Sequence, residues 1–140
     1  MQKTVFIFLL ALSAVLVCGN TGCSKKALQD ERMSVVLEIM TSGSWTVTQF
    51  VEGTNDISNL FAGVKFTFYK NGTVTGSRDN YTLTGTWKAD EMNLTITSAF
   101  PAGNDPYAKL NGTWKIVDAG LDFVKANALA DDATLYLNKN

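Results

Sequence analysis

Hydrophobic and polar residues alternate with a period of two through most of the chain after residue 43. Val64, Phe66 and Phe68, for example, are separated by Lys65 and Thr67. Such alternation is typical of β-strands with one buried and one solvated face. The pattern predicts eight strands, over residues 45–51, 64–69, 74–77, 81–88, 92–97, 110–116, 121–123 and 133–137.

Mostly short turns separate the predicted strands, including the strong hairpin signal Asn71-Gly72. Short consecutive connections favour an all-β domain folded as an eight-stranded up-and-down antiparallel barrel with apolar side chains inside. A β-sandwich is the alternative, because alternation alone does not distinguish the inner faces of a sandwich from those of a barrel. Two connections are long, over residues 52–63 and 98–108.

A short N-terminal helix is predicted ahead of the first strand, over residues 27–41. Val36, Ile39 and Met40 have the i, i+3, i+4 spacing of one helix face. Ser42-Gly43 then provides a stop signal. Because an isolated stalk needs no such apolar face, we expect the helix to pack against one end of the domain.

The first 22 residues have the organisation of a secretory signal. Lys3 precedes an apolar run over residues 5–17 that only Ser13 interrupts, and the small or polar residues 19–22 follow. The run of about 13 residues is shorter than the roughly 20 needed for a permanent transmembrane helix. We therefore expect residues 1–22 to be removed on export.

Cys23 follows this segment directly, after the small residue Gly22, and looks like the acylation site of a bacterial lipoprotein. Asn20 stands where the typical motif has an aliphatic residue, so ordinary signal cleavage with Cys23 left as a free thiol is the alternative. Acylation also accounts for both cysteines, because Cys18 leaves with the signal and Cys23 is blocked. The predicted organisation is a signal peptide (1–22), a lipidated linker with the short helix (23–42) and a β-barrel domain (43–140).

Composition narrows the possible chemistry. The chain has no His, which excludes a Ser-His-Asp triad, a Cys-His dyad and a His-ligated zinc site. Its 12 Lys and Arg face 13 Asp and Glu, so there is no basic excess for nucleic acid. The adjacent acids Asp90-Glu91 and Asp131-Asp132 fall in predicted turns, where solvent keeps both members ionised. We expect no catalysis, no metal site and no cofactor.

Several short motifs occur in the order and spacing of a known family. Gly43-Ser44-Trp45 opens the first strand as the lipocalin Gly-x-Trp does. The other motifs are Phe66-Thr67-Phe68, Asn71-Gly72-Thr73-Val74, Gly85-Thr86-Trp87 and Leu110-Asn111-Gly112-Thr113-Trp114. Over residues 43–138, the chain resembles the lipocalin-like lipoproteins of anaerobic Gram-negative gut bacteria. The resemblance implies a calycin-type barrel with Trp45 as a structural plug at its closed end.

The inside of an eight-stranded barrel is either filled by its own side chains or holds one small ligand. Aromatic and aliphatic walls suit an apolar or amphipathic ligand, and Tyr adds a hydrogen-bonding group. The alternative is that the same residues form a packed core. The candidate ligand-binding residues are Phe66, Phe68, Tyr81, Leu83, Trp87, Leu94, Trp114 and Phe123.

The two long connections carry aromatic residues that are candidates for a rim around the barrel mouth. Phe100 and Tyr107 flank a stretch stiffened by Pro101 and Pro106, and Phe61 lies in the other connection. Exposed aromatics here would anchor a ligand or a partner. The alternative is that these side chains fold back onto the barrel.

Together these features predict a lipid-anchored, non-enzymatic protein of the bacterial cell envelope whose barrel binds a small apolar or amphipathic molecule. The alternative is an interaction module with a filled barrel that presents loops 52–63 and 98–108 to an envelope protein or polymer. The N-terminal lipid would attach the protein to a membrane, with the outer membrane expected. Lys25-Lys26 directly after Cys23, with Asp30-Glu31 only later, slightly favour the periplasmic face over the cell surface.

Overall fold

The computed structural model describes residues 25–140. The predicted signal segment and Cys23 lie outside the described residues. Within residues 25–140, no helix is long and apolar enough to cross a membrane. The elements are α1 (Lys25–Met40), β1 (Ser44–Glu52), β2 (Asn55–Asp56), β3 (Lys65–Phe68), β4 (Thr73–Arg78), β5 (Tyr81–Asp90), β6 (Thr95–Ala99), β7 (Gly112–Ala119), β8 (Phe123–Ala128) and β9 (Ala133–Lys139), with 3₁₀ helices at Ser58–Phe61 and Tyr107–Leu110.

The strands form one closed antiparallel barrel. β1 pairs with β3, and each strand from β3 onward pairs with the next one along the chain as far as β9. β9 then pairs with β1 over seven residue pairs, which closes the sheet on itself. The two-residue strand β2 only extends β1 as a small hairpin. The predicted eight-stranded barrel is therefore confirmed, and the β-sandwich alternative is wrong.

Three predicted strands begin two or three residues later than the alternation indicates, and one of them, predicted at 110–116, begins at Gly112. The strand predicted at 92–97 begins at Thr95, because residues 91–94 form a turn in which Leu94 has a φ of +50°. The Asp90 carboxylate holds this turn by accepting hydrogen bonds from the Asn93 backbone N–H at 3.1 Å and from Asn93 Nδ2 at 2.9 Å. These bonds also lower the pKa of Asp90. The strand predicted at 121–123 is β8, which leaves Leu121 in a turn and 79% exposed.

The two ends of the barrel are built differently, and each needs a name. The helix end carries α1 and the turns at 69–72, 91–94 and 120–122, whereas the mouth carries the connections at 53–64, 79–80, 100–111 and 129–132. A single core runs between the ends. Its largest fully buried side chains are Met40, Trp45, Phe50, Phe61, Val64, Phe66, Val74 and Val124.

The helix α1 packs across the helix end rather than standing apart as a stalk. Val36 and Met40 are buried, and Leu37 and Ile39 are partly buried against the core. Trp45 is fully buried there, and its Nε1–H donates a 2.9 Å hydrogen bond to the carbonyl of Met40. This bond links the last residue of the helix to the first strand of the barrel.

We expect Trp45→Phe to lower the free energy of unfolding by about 2–3 kcal/mol, because it removes the hydrogen bond to Met40 and leaves a void. Urea denaturation of the variant measures the loss. Tyr136→Phe is the control, since it removes a hydroxyl from a partly exposed position on the outer face of β9 and should change stability by less than about 0.5 kcal/mol. A loss at Trp45 no larger than that of the control would contradict this role.

Candidate functional site

The barrel interior contains one small cavity among the described residues. Its volume is about 30 Å³, enough for one or two water molecules, whereas ligand pockets occupy roughly 300–1,000 Å³. The only polar side chain in its lining, that of Ser98, donates a hydrogen bond to the carbonyl of Leu110. The lining residues are Met40, Phe66, Phe68, Ile96, Ser98, Leu110, Trp114, Ile116, Val124, Ala126, Leu135 and Leu137.

Three of the candidate ligand-binding residues line this cavity, namely Phe66, Phe68 and Trp114. A fourth, Trp87, is buried but belongs to the helix end. Its ring meets that of Phe68 edge-on, with centroids 5.3 Å apart, and its Nε1–H donates a 2.9 Å hydrogen bond to the carbonyl of Tyr69. Trp87 therefore has a packing role, and Phe68 both packs against it and lines the cavity.

The other four candidates lie outside the cavity. Tyr81 is 50% exposed at the mouth, and Leu83 is partly buried near it on the same strand. Leu94 lies in the turn at 91–94 and lines a groove beside α1. Phe123 starts a strand whose cavity-lining residues are Val124 and Ala126, so alternation directs its ring to the other face, where it covers Gly120.

The three rim candidates are buried rather than exposed. Phe61, Phe100 and Tyr107 retain 2%, 5% and 3% of their accessible surface. Of the two alternatives for these side chains, the structure has them folded back into the barrel. The expectation of exposed aromatic anchors is wrong, because each ring gains more by burial among other rings than it would at the surface.

Six aromatic residues close the mouth, and we call them the mouth cluster. Phe50 stacks on Phe61 with ring centroids 5.2 Å apart and meets Trp114 edge-on at 5.6 Å. Phe66 meets Phe100 and Tyr107 edge-on at 6.0 and 6.1 Å. Edge-to-face and offset rings at these distances attract one another beyond simple area burial. The mouth cluster comprises Phe50, Phe61, Phe66, Phe100, Tyr107 and Trp114.

Two glycines in the barrel wall make room for the mouth cluster. A Cβ atom at Gly76 would lie 2.6 Å from the Tyr107 ring. One at Gly85 would lie 2.5 Å from the Ala99 carbonyl oxygen and 2.8 Å from the Phe100 ring. No real side chain tolerates such distances, so the two rings occupy space that the strands leave empty. Sequence reasoning missed these positions, although isolated glycines inside Thr-rich strands are the signal that marks them.

Polar contacts hold the segment that carries Phe100 and Tyr107. The Asn111 side chain accepts from the Phe100 backbone N–H at 2.6 Å and donates to the Phe100 carbonyl at 3.0 Å. Trp114 Nε1–H donates to the Leu110 carbonyl at 2.9 Å, and Lys109 forms an ion pair with Glu52 at 3.1 Å. The segment is thus bonded to the barrel wall on both sides of the 3₁₀ helix at Tyr107–Leu110.

One polar group in the mouth cluster has no partner. The hydroxyl of Tyr107 is buried without a hydrogen bond to any described residue. Burial raises the pKa of this phenol, and the nearby Arg78 partly opposes the shift. An unpaired buried hydroxyl costs free energy, so tight packing of the ring outweighs this loss.

A polar cleft of about 390 Å³ lies outside the mouth cluster, on the solvent side of Phe50 and Trp114. The Glu52–Lys109 ion pair crosses it, and Asp131 and Asp132 in the β8–β9 turn line its edge. Within the part of the chain that the structure describes, no group of three or more His, Cys, Asp or Glu side chains is placed to hold a metal ion. The cleft is a solvated surface feature with mixed charge.

No protein-family model and no curated protein matches the sequence. Three solved structures from Bacteroides species are similar. They are a DUF4847 family protein from Bacteroides vulgatus (21% identity, TM-score 0.56, covering 75% of this chain and 97% of that one), a lipocalin-like protein from Bacteroides uniformis (14%, 0.52, 71% and 98%) and an uncharacterized protein from Bacteroides eggerthii (12%, 0.53, 71% and 99%). At these identities the similarity is one of fold, and this chain has a lipocalin-like barrel.

We expect Gly76→Ala and Gly85→Ala each to lower the free energy of unfolding by about 2–3 kcal/mol. The methyl added at Gly76 displaces the Tyr107 ring, and the one added at Gly85 meets both the Ala99 carbonyl and the Phe100 ring. Thr84→Ala, at an exposed position on β5, is the control and should have a small effect. In a Tyr107→Leu background, the cost of Gly76→Ala should shrink, since the ring that it strikes is gone. Urea denaturation measures these stabilities. If Gly76→Ala cost as much in the Tyr107→Leu background as in the wild type, the contact between position 76 and the Tyr107 ring would be contradicted.

We expect Tyr107→Phe to raise the free energy of unfolding by about 1 kcal/mol, because it removes a buried hydroxyl that has no partner. Tyr81→Phe is the matched control, since its half-exposed hydroxyl lies a weak 3.4 Å from Asn104 Oδ1. Chemical denaturation near neutral pH measures both variants. A loss of stability in Tyr107→Phe would mean that the hydroxyl has a partner in solution.

Tyr107→Phe should also change how the stability of the fold depends on alkaline pH. Because the pKa of Tyr107 is raised above its ordinary value of 10.0 in the folded chain, the unfolded chain releases this proton first. Wild-type stability should therefore fall as pH rises through about 10, and Tyr107→Phe should lose that part of the decline. Denaturant titrations across this range, with Tyr81→Phe beside them, measure the difference.

Proposed function

We propose that this protein is a lipid-anchored envelope protein whose filled barrel serves, without catalysis, as an interaction module. The observation that carries the proposal is the interior cavity of about 30 Å³, closed by α1 at one end and by the mouth cluster at the other. A carrier for a small apolar molecule needs roughly ten times this space. The alternative of a filled barrel with presented loops is therefore favoured over the carrier.

The mouth offers a surface that suits a polar partner. Apart from Leu60, which is 42% exposed, and Pro101, the exposed residues of its two long connections are small or polar, since their aromatic side chains are turned inward. The cleft beside them combines the Glu52–Lys109 pair with Asp131 and Asp132. We infer an envelope protein or a hydrated polymer as the partner, because an apolar ligand would find little to bind there. The exposed residues of these connections are Gly53, Thr54, Asn55, Asp56, Asn59, Leu60, Ala62, Gly63, Pro101, Ala102, Gly103, Asp105 and Asn111.

Short-range hydrogen bonds hold this surface in shape. Ser58 donates its backbone N–H to Asp56 Oδ1 at 2.9 Å, and the Phe50 N–H donates to Ser58 Oγ at 2.9 Å. The bonds from Ser58 lower the pKa of Asp56, which keeps its carboxylate ionised. Asn104 Nδ2 donates to the carbonyls of Pro101 and Ala102 at 3.1 and 3.2 Å. A surface ordered in advance loses less entropy when it binds, which supports recognition.

The anchor is the second part of the proposal. Its support is the signal-like segment 1–22 and Cys23 directly after it. The fold is shared with proteins of Bacteroides, which are Gram-negative bacteria, and this is in keeping with an outer-membrane lipoprotein. The periplasmic face is favoured, since Lys25-Lys26 rather than acidic residues follow Cys23.

We expect a native mass spectrum of residues 24–140, which lack Cys23 and its lipid, to show the bare protein mass. The same result is expected after incubation with fatty acids, bile acids and haem-like compounds, because the interior has no room for them. Phe100→Ala is the positive control, since it removes a ring from the mouth cluster and should create a cavity that takes up a small apolar compound. An adduct on the wild-type chain that is lost on unfolding would overturn the filled barrel and restore the carrier.

A further inference from the structure

The helix end has exposed apolar side chains, and it carries α1, which begins two residues after Cys23 in the sequence. We propose that the helix end docks on the surface of a lipid bilayer with zwitterionic headgroups, and that Leu121 and Met92 reach the interface. This inference rests on the lipid anchor proposed at Cys23. It adds which face of the barrel meets the membrane and which headgroup charge that face accepts.

The tether between Cys23 and the barrel is short. α1 begins at Lys25, two residues after Cys23. Glu31 already lines a groove that α1 shares with the barrel. The helix rises about 9 Å from Lys25 to Glu31, and two extended residues add about 7 Å. An acyl chain on Cys23 therefore keeps Glu31, and the groove that it lines, within about 16 Å of the bilayer surface.

Large apolar side chains are exposed at this end. Leu121 is 79% exposed, Met92 62%, Val35 50% and Val117 48%. Val35 and Val117 line the same open groove of about 540 Å³ beside α1. Tyr69, in another turn of this end, is 46% exposed and belongs to a residue type that is enriched at membrane interfaces.

Backbone contacts hold Leu121 outward. The Gly120 N–H donates to the Phe123 carbonyl at 2.9 Å, and the Lys139 N–H donates to the Asp122 carbonyl at 2.8 Å. The Phe123 ring packs directly on Gly120 and fills the space beneath the turn. With that space taken, the Leu121 side chain points into solvent as a fixed feature of the fold.

Charge at the helix end is mixed, and the acids are the charges nearest to Leu121 and Met92 in the sequence. The segments 90–94 and 118–122 carry Asp90, Glu91, Asp118 and Asp122. Lys115 donates to the Asn93 carbonyl, and the other basic residues of this end include Lys25, Lys26, Arg32, Lys70 and Lys139. Anionic headgroups attract basic segments and repel acidic ones. A zwitterionic surface, such as phosphatidylethanolamine or phosphatidylcholine, admits Leu121 and Met92 without this repulsion.

A weak contact is sufficient for docking. The anchor supplies the main attachment, so the helix end meets the bilayer at the high effective concentration of a tethered group. A few apolar side chains at the headgroup boundary then bias the orientation of the barrel. In this orientation, the mouth points away from the membrane, toward the partner of the proposed module.

The experiment uses the full chain, expressed with its own N-terminal segment in a Gram-negative host. Intact mass first shows whether residues 1–22 are removed and Cys23 is acylated. Leu121→Cys and Leu129→Cys variants are labelled with the fluorophore NBD and reconstituted into phosphatidylcholine–phosphatidylethanolamine vesicles containing nitroxide-labelled lipid. Leu129 is the matched control, because it is 62% exposed in a turn at the mouth.

We expect the fluorophore at 121 to shift to shorter wavelength and to be quenched by the nitroxide lipid, while the one at 129 keeps its emission in water. A water-like signal at 121 on acylated protein would overturn the docking and leave the anchor standing. A chain without acylation would overturn both. Replacing the zwitterionic lipids with phosphatidylglycerol should reduce the shift at 121, and an equal or larger shift at low salt would refute the choice of headgroup.

A second variant separates docking from damage to the fold. Met92→Cys, labelled in the same way, should lose its blue shift when Leu121→Asp is added and keep it when Leu60→Asp is added, because Leu60 is 42% exposed in the connection at 53–64 of the mouth. Both aspartates replace exposed side chains, so the barrel should stay folded. Equal loss with either aspartate would contradict a contact specific to the helix end.

Discussion

The contact of two aromatic rings with two glycines is the constraint on which the rest of this structure depends. Gly76 and Gly85 leave gaps in the barrel wall, and Tyr107 and Phe100 fill them from a segment outside the strands. A core with those gaps open would lose much of its packing free energy. Filling them fixes the connection at 100–111 and leaves its small and polar residues facing solvent. The cost is one unpaired hydroxyl, that of Tyr107.

Because the interior is filled, the two ends of the barrel are closed, and they are closed by different elements. One end is occupied by α1, which is linked to the barrel through the bond from Trp45 to Met40. The other is sealed by rings, so what remains available to a partner is surface rather than volume. On the proposal made here, the shared fold of lipocalin-like proteins is used as a scaffold, which is consistent with the general independence of fold and function.

The sequence predicts the barrel well and the site poorly, for physical reasons. Alternation in eight segments and short turns are local signals, and they are sufficient for the strand order and for the helix before it. The exposure of Phe61, Phe100 and Tyr107 depends instead on contacts between residues far apart in the chain. Gly76 and Gly85 indicate that something approaches the wall, but a single sequence does not say which ring. Phe123 lies on the face away from the cavity because the inward residues of β8 are Val124 and Ala126, one residue out of step with the pattern of Leu121 and Phe123, and one residue of register exchanges the faces.

Closure of the barrel has a consequence for how the chain folds. The pairing of β1 with β9 joins residues that are far apart in the chain, such as Thr46 and Asn138, which are separated by 92 positions. Every other pairing links strands that are close together along the chain. A growing chain can therefore add strands one at a time to an open, curved sheet. Until the last strand arrives, that sheet keeps two unpaired edges and an uncovered apolar face, the features that favour association with other chains. The last strand, which has seven residues, pairs with both edges at once. Before it pairs, the sheet is an aggregation-prone intermediate; afterwards, the barrel has no open edge.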